Sequence, residues 1–182
     1  MIFEKEAPEL KLEGREIGID IGYKKLIATS ESQKFDTGLE SVYQKVSRKR
    51  QGSKAFKRAL VERDNKINES INLIPFHEIR KIVVEDLKNV KHKSNGRIRK
   101  TFNNKLQRWL YSKVLNMLSM RCEEFGILFK KVNPAYTSQK CSSCGFTHKE
   151  NRKAENFLCL NCKNKMDADF NASINILALE SL

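Results

Sequence analysis

Four cysteines constrain this chain more than any other feature. Cys141 and Cys144 form one Cys-x2-Cys pair and Cys159 and Cys162 a second, with fourteen residues between the pairs. Each pair is a knuckle whose two sulfurs reach one ion, and four thiolates complete a tetrahedral shell that leaves no open position. The spacing therefore predicts a structural metal ribbon, with Zn²⁺ as the first reading and a four-cysteine iron centre as the other. The intervening "GFTHKENRKAENFL" is polar, basic and too short for a core of its own, so the metal would supply the ribbon's folding energy. His148 lies between the knuckles, where four thiolates already suffice. Cys122 stands alone on an apolar helical pattern and reads as a small buried hydrophobe.

That metal reading depends on compartment. No window approaches the roughly 18 apolar residues of a membrane span, and "MIFEKEAPELKLEG" lacks the apolar run of a signal peptide. A cytoplasmic protein with no membrane partner is expected, where disulfides are rare and clustered cysteines bind metal. Thirty-five Lys and Arg against 22 Asp and Glu give a net charge of +13. Such an excess implies a polyanionic partner, nucleic acid before an acidic membrane surface.

The positive charge is clustered. Residues 44–58 carry Lys45, Arg48, Lys49, Arg50, Lys54, Lys57 and Arg58 with no acid. Residues 88–105 repeat the pattern with Lys91, Lys93, Arg97, Arg99 and Lys100 among seven basic residues, in a polar, Gly-containing stretch that reads as a mobile loop. Both are candidate phosphate contacts, against the plainer reading of a solvated helix face.

Around these runs the hydrophobic pattern alternates. Residues 1–14 read as a charged lead-in that pairs with little. "EIGIDIG" and "KKLIATS" read as strands of a hairpin joined near Gly22 and Tyr23, and "SQKFDTG" could add a third strand. Leu39, Val42, Tyr43 and Val46, then Phe56, Leu60, Ile67, Ile71 and Ile74, fall at helical spacing on either side of "QGS", a helical hairpin with a basic elbow that ends before Pro75. "KIVVE" suits a buried parallel strand. A helix from Phe102 through Trp109 to Phe125 stops at Gly126, and "ILFKKV" makes a further strand. The sum is a mixed-sheet α/β domain with a small insert before a last helix.

Three acids are placed where charge is expensive. Asp20 lies between Ile19 and Ile21 in the first strand, Glu85 ends a β-branched run, and "DAD" opens the last helix. Singly, each has an ordinary account as a turn cap, a lysine partner or a helix N-cap. Together, acids from a first strand, a later strand and a C-terminal helix can converge to hold two divalent ions roughly 3.5–4 Å apart, the arrangement that hydrolyses phosphodiesters. Within "DAD", Asp169 shares its helix side with Ala172, Ser173 and Ile176, whose two small side chains would let the helix approach the sheet. Phe170, Ile174, Leu177 and Ala178 would form the apolar face, and Asp167 is better placed to cap the helix.

"GIDIGYKKLIATS", "IVVEDLKNVK", "VNPAYTSQKCSSCG" and "CLNCKNKMDADFNASINIL" resemble, in order, the motifs of the transposon-encoded RNA-guided nucleases called TnpB and of the related type V CRISPR effectors. The resemblance runs from about residue 13 to the C-terminus. It implies a RuvC nuclease domain of the RNase H-like fold over residues 1–140, a zinc-ribbon insert at 141–165 and a C-terminal helix at 166–182 that completes the domain. It also implies that Asp20, Glu85 and one aspartate of "DAD" bind two Mg²⁺ ions and cut DNA. The family pattern puts that aspartate two residues before Asn171, at Asp169. Asp20 would bridge both ions, while Glu85 and Asp169 would each complete one.

Members of that family are roughly twice as long, and the expected missing part is the N-terminal region that grips the guide RNA. The expected function is therefore a Mg²⁺-dependent DNA endonuclease without that region. The alternatives are a homodimeric four-way-junction resolvase, and a non-cleaving zinc-ribbon nucleic-acid binder or subunit of an RNA-guided assembly with a larger protein.

Overall fold

A computed structural model describes residues 8–22, 25–36, 38–86, 111–133 and 135–180. Its centre is a five-stranded mixed sheet in the order β3-β2-β1-β4-β5. Strands β1 (Arg15–Ile21), β2 (Ile27–Thr29) and β3 (Lys34–Phe35) form an antiparallel meander, and β4 (Ile79–Glu85) and β5 (Leu128–Val132) add on the other side of β1, both parallel to it. Gly22 closes the first hairpin by donating its N–H to the Leu26 carbonyl; Tyr23 lies outside the described residues.

Alternation in β1 divides the molecule. Ile17, Ile19 and Ile21, with Ile82 and Val84 of β4, face a layer made by α1 (Leu39–Ser47), α2 (Lys54–Asn72) and α3 (Tyr111–Glu124). Leu39 and Tyr43, Ile67 and Ile71, and Val114, Leu115, Leu118 and Cys122 are their contributions to that core. The helix ends at Asn72, short of the expected Pro75 boundary, so Ile74, three residues after Ile71, is buried outside it. Ser53 caps α2, its hydroxyl accepting from Phe56 N–H, and the exposed basic elbow precedes it. The expected helical residues before Tyr111, among them Trp109, fall outside the described residues.

Among the described residues, the opposite face of the sheet carries one helix, α4 (Ala168–Leu179), laid across β1. Ahead of it comes a three-stranded antiparallel ribbon, β6 (Arg152–Lys153), β7 (Asn156–Leu158) and β8 (Lys165–Asp167). β8 ends at Asp167 and α4 begins at Ala168, so the ribbon runs into the helix with no loop between them.

The lead-in does pair, contrary to expectation. Lys11 donates its backbone N–H to the Gly126 carbonyl (2.7 Å), and its ammonium reaches the carbonyls of Phe76 (2.7 Å), His77 (3.0 Å) and Ile79 (3.2 Å). These bonds hold the segment across the start of β4; the sequence pattern missed them because one side chain makes most of them. Among the described residues, no helix is long and apolar enough to cross a membrane.

Candidate active site and metal centre

Asp20, Glu85 and Asp169 come from three elements and meet at one end of the sheet. Because the isoleucines of β1 face the helical layer, Gly18 and Asp20 point the other way. β4 pairs with Gly18 opposite Val83 and Ile19 opposite Val84. One step further, the same register sets Asp20 beside Glu85 on the same face.

The third acid arrives with α4. A Cβ on Gly18 would come 2.1 Å from the Ser173 carbonyl oxygen and 2.8 Å from the Leu177 nitrogen, a spacing only glycine allows. Asp169 lies one turn before Ser173 and Asp20 two residues after Gly18, so the close approach carries Asp169 over Asp20. The buried side of α4 is Ala168, Asn171, Ala172, Ser173, Asn175 and Ile176. The expected apolar face is corrected: Phe170, Ile174 and Leu177 are half-buried and Ala178 is exposed. The helix buries its small and amide side chains because backbone must touch backbone here.

The cluster is electrostatically strained. Burial, then the charges of Glu85 and Asp169, push the Asp20 carboxyl up to about 7, against opposing pulls from Arg152 and the Ile21 N–H. Burial also raises Glu85, opposed by the Thr137 hydroxyl, which donates to Glu85 Oε1, and by Arg152. All three carboxylates remain half-buried, open in part to solvent. Two cations attend them. Arg152 donates from Nη2 to Asp169 Oδ1 (2.9 Å), and Lys34 Nζ stands 3.9 Å from Asp169 Oδ2. A set of hard oxygen donors that repel one another fits a divalent cation.

Asp167 has a different task. Its Oδ1 accepts from the N–H groups of Asp169 (2.9 Å) and Phe170 (3.4 Å), and its Oδ2 accepts from Lys34, which makes it the N-cap of α4. Burial pushes this carboxyl up, but Lys34 and the capped N–H groups outweigh it and hold it below the ordinary value.

The four ribbon sulfurs all lie within 4.8 Å of one another, with Cys141 and Cys162 3.7 Å apart and Cys144 and Cys159 3.6 Å apart. They can hold a structural metal. The two knuckles are built alike. Cys141 N–H donates to the Phe146 carbonyl and Gly145 N–H to the Cys141 carbonyl; Cys159 and Lys163 make the corresponding bonds, with the Asn164 and Cys159 carbonyls as acceptors. Gly145 has φ +76°, and Lys163 holds the same left-handed conformation at φ +61°. The Phe146 N–H and neighbouring sulfurs lower the Cys144 thiol to about 6, while Cys162, despite the Asn164 N–H, is raised by the same sulfurs to about 12, so a bound cation is what would let all four ionise together. Cys122 is buried away from the ribbon, its thiol raised to about 12 by burial.

Of the expected phosphate contacts, Arg48, Lys49, Arg50, Lys54, Lys57 and Arg58 are exposed around the elbow, while Lys45 pairs with Glu62 at 2.6 Å. Lys91, Lys93, Arg97, Arg99 and Lys100 lie outside the described residues.

Comparison with known proteins bears on the whole arrangement. A profile described as "Cas12f1-like, TNB domain" matches residues 111–176. The CRISPR-associated endodeoxyribonuclease Cas12f1 of an uncultured archaeon is 30% identical over 132 residues, 68% of this chain and 24% of that protein. A TnpB-like protein of Methanocaldococcus jannaschii is 33% identical over 97 residues, 53% of this chain and 34% of that protein. The cryo-EM structure of a Cas12f1-sgRNA-target DNA complex superposes with a TM-score of 0.64 at 23% identity, covering 91% of this chain and 50% of that one, a likeness of fold. The chain is TnpB/Cas12-like. It spans about a quarter of the length of the Cas12f1 relative and about a third of the TnpB-like one.

In this TnpB/Cas12-like chain several working residues carry no sequence signal of their own. Asn171 donates to the Lys140 carbonyl (2.8 Å) and accepts from Ser142 N–H (3.0 Å), and Asn175 donates to the carbonyls of Thr137 (2.9 Å) and Lys140 (2.7 Å). These asparagines, one turn apart, tie α4 to the turn before the first knuckle. Asn151 braces the ribbon from inside, donating to the carbonyls of Gln139 and Phe146 and accepting from Leu160 N–H. Apolar spacing could not announce them; a polar residue every fourth position on a helix with a buried end was the available clue.

Proposed function

We propose that this chain carries the cleaving site of a Mg²⁺-dependent DNA endonuclease, on a RuvC-type sheet of the RNase H-like class. The observation that carries the reading is the meeting of Asp20, Glu85 and Asp169 on one open face, with Asp20 so unfavourably charged that a cation is the natural counterpart. Asp20, which feels the charges of both Glu85 and Asp169, would hold the ions together with them. Bound Mg²⁺ would supply an activated water and charge for the leaving oxygen. The chain's own residues do the rest. Thr137 holds the Glu85 carboxylate in place, Asp167 caps the start of the helix two residues before Asp169, and Arg152 ties the ribbon to Asp169. The exposed arginines and lysines of the elbow would hold the DNA backbone, with binding that weakens steeply as salt rises.

Zn²⁺ is the proposed ribbon metal. A tetrahedral Zn–S shell of about 2.3 Å bonds sets sulfurs about 3.8 Å apart, close to the spacings of the two measured pairs. The solved Cas12f1 structure is a complex with an sgRNA and target DNA. Guide RNA and DNA are accordingly the proposed partners, with guided cleavage resting on protein beyond the portion this chain represents.

Incubation of the zinc-loaded chain with labelled single strands, duplexes and four-way junctions, with Mg²⁺ or EDTA, tests this. Cutting that needs Mg²⁺ and vanishes in Asp20→Ala is expected. Tight binding with no cutting, even with a guide RNA and a longer relative added, would overturn it.

A further inference from the structure

Tyr136 is held in a way that packing does not explain. It sits in the left-handed region at φ +65°, where a side chain with a Cβ is strained, and its residue surface is 66% exposed. The turn around it is tied by hydrogen bonds. Its carbonyl accepts from the N–H groups of Gln139 and Lys140 (2.9 Å each), and the next residues are fixed by Asn175, which donates to the carbonyls of Thr137 and Lys140. Glycine would adopt this backbone without strain, and an exposed ring gains little from burial. The aromatic group is therefore presented rather than stored. The neighbouring Thr137 is buried and donates its hydroxyl to Glu85 Oε1, so the ring projects from a residue adjacent to one that touches the acid cluster. Phe146, the other exposed aromatic near the ribbon, already stacks on His148, with ring planes 9° apart.

We infer that Tyr136 is a stacking platform for an unpaired nucleobase next to the phosphate that enters the Asp20–Glu85–Asp169 cluster. The inference rests on the nuclease reading for the identity of that phosphate. A flat ring on a fixed turn accepts any base face, whereas paired bases offer no face to it, so the residue favours single strands over duplex. The phenolic hydroxyl is not needed for this.

Tyr136→Gly and Tyr136→Phe separate the platform from a structural role. Binding of a short labelled single-stranded DNA to the zinc-loaded chain in Mg²⁺-free buffer is measured by anisotropy, beside the same sequence as a duplex. Tyr136→Gly is expected to weaken single-strand binding about tenfold or more, to leave duplex binding nearly unchanged and to raise or preserve the melting temperature. Tyr136→Phe is expected to bind as the unmodified chain does. Equal single-strand affinity in Tyr136→Gly, or an equal loss for both DNAs with a lower melting temperature, overturns the inference. Failure of the two readings looks different. Tyr136-dependent single-strand binding without cutting in Mg²⁺ would remove the nuclease reading and leave the platform. Mg²⁺-dependent cutting of single strands at an unchanged rate in Tyr136→Gly would remove the platform and leave the nuclease.

Discussion

Gly18 of β1 lies directly beneath the backbone of Ser173 in α4, so close that a methyl group in place of its hydrogen would sit 2.1 Å from the Ser173 carbonyl oxygen. This contact sets how far Asp169 stands from Asp20. Gly18→Ala must lift the helix or bend the strand, and a displacement of about 1 Å at a reacting centre can cost on the order of 100-fold in rate. We expect cleavage to fall by that order and stability by about 1–3 kcal/mol, read by single-turnover cleavage and thermal unfolding.

Asp167 and Asp169 should separate cleanly. Asp169→Asn removes a negative charge from the cluster and is expected to abolish Mg²⁺-dependent cutting with little loss of stability. Asp167→Ala removes the cap of α4 and the partner of Lys34, costing about 0.5–2 kcal/mol while leaving residual cleavage. The informative cap variant is alanine, because asparagine caps nearly as well. Cleavage surviving in Asp169→Asn but lost in Asp167→Ala would reverse the assignment.

Asp20 makes the metal-free chain sensitive to pH. Its folded pKa, about 7, lies above the ordinary 3.8, so the native state holds a proton that the unfolded chain releases. The stabilisation is complete below about pH 4 and is lost as pH rises towards 7, by at most about 4 kcal/mol. The melting temperature in Mg²⁺-free buffer, with the ribbon metal retained, should fall between pH 5.5 and pH 8. That fall should be largely absent in Asp20→Asn, and Mg²⁺ should oppose it at pH 8. A parallel fall in Asp20→Asn would assign the effect to other groups.

The ribbon metal should matter to cleavage although it has no open position. A chelator strong enough to strip it, or Cys159→Ser, frees the segment that delivers Asp167 and Arg152. Hydrogen exchange at the first turn of α4 should speed up together with the loss of cutting. The reverse improvement is available at Lys163, which holds the left-handed position that Gly145 holds in the first knuckle. Lys163→Gly is expected to stabilise the metal-loaded chain by about 0.5–1 kcal/mol and to slow metal loss to a chelator.

Much of this was legible along the chain because the signals are local. Two cysteine pairs at knuckle spacing, alternation in "EIGIDIG", the helical stripes on either side of "QGS" and the β-branched run before Glu85 each report on neighbours a few residues apart. Asp167 could be read as a cap for the same reason. Lys11 was illegible because a lysine's ammonium can reach many carbonyls and nothing beside it in sequence selects three of them. The buried side of α4 was misread because its apolar residues looked like the core face, while its asparagines and serine are the residues that contact other backbone.

By itself the sequence determined the four-cysteine ribbon, the order of the described strands and helices of the main sheet and the three acids worth following, since these depend on spacing and period. Only the tertiary structure decided that Asp20, Glu85 and Asp169 share one face. That outcome rests on the parallel register of β1 with β4 and on the absent side chain at Gly18, which together bring residues from opposite ends of the chain into contact. It also revealed Thr137, Arg152 and Asn175 as supports, because a hydrogen bond between distant residues has no period to betray it.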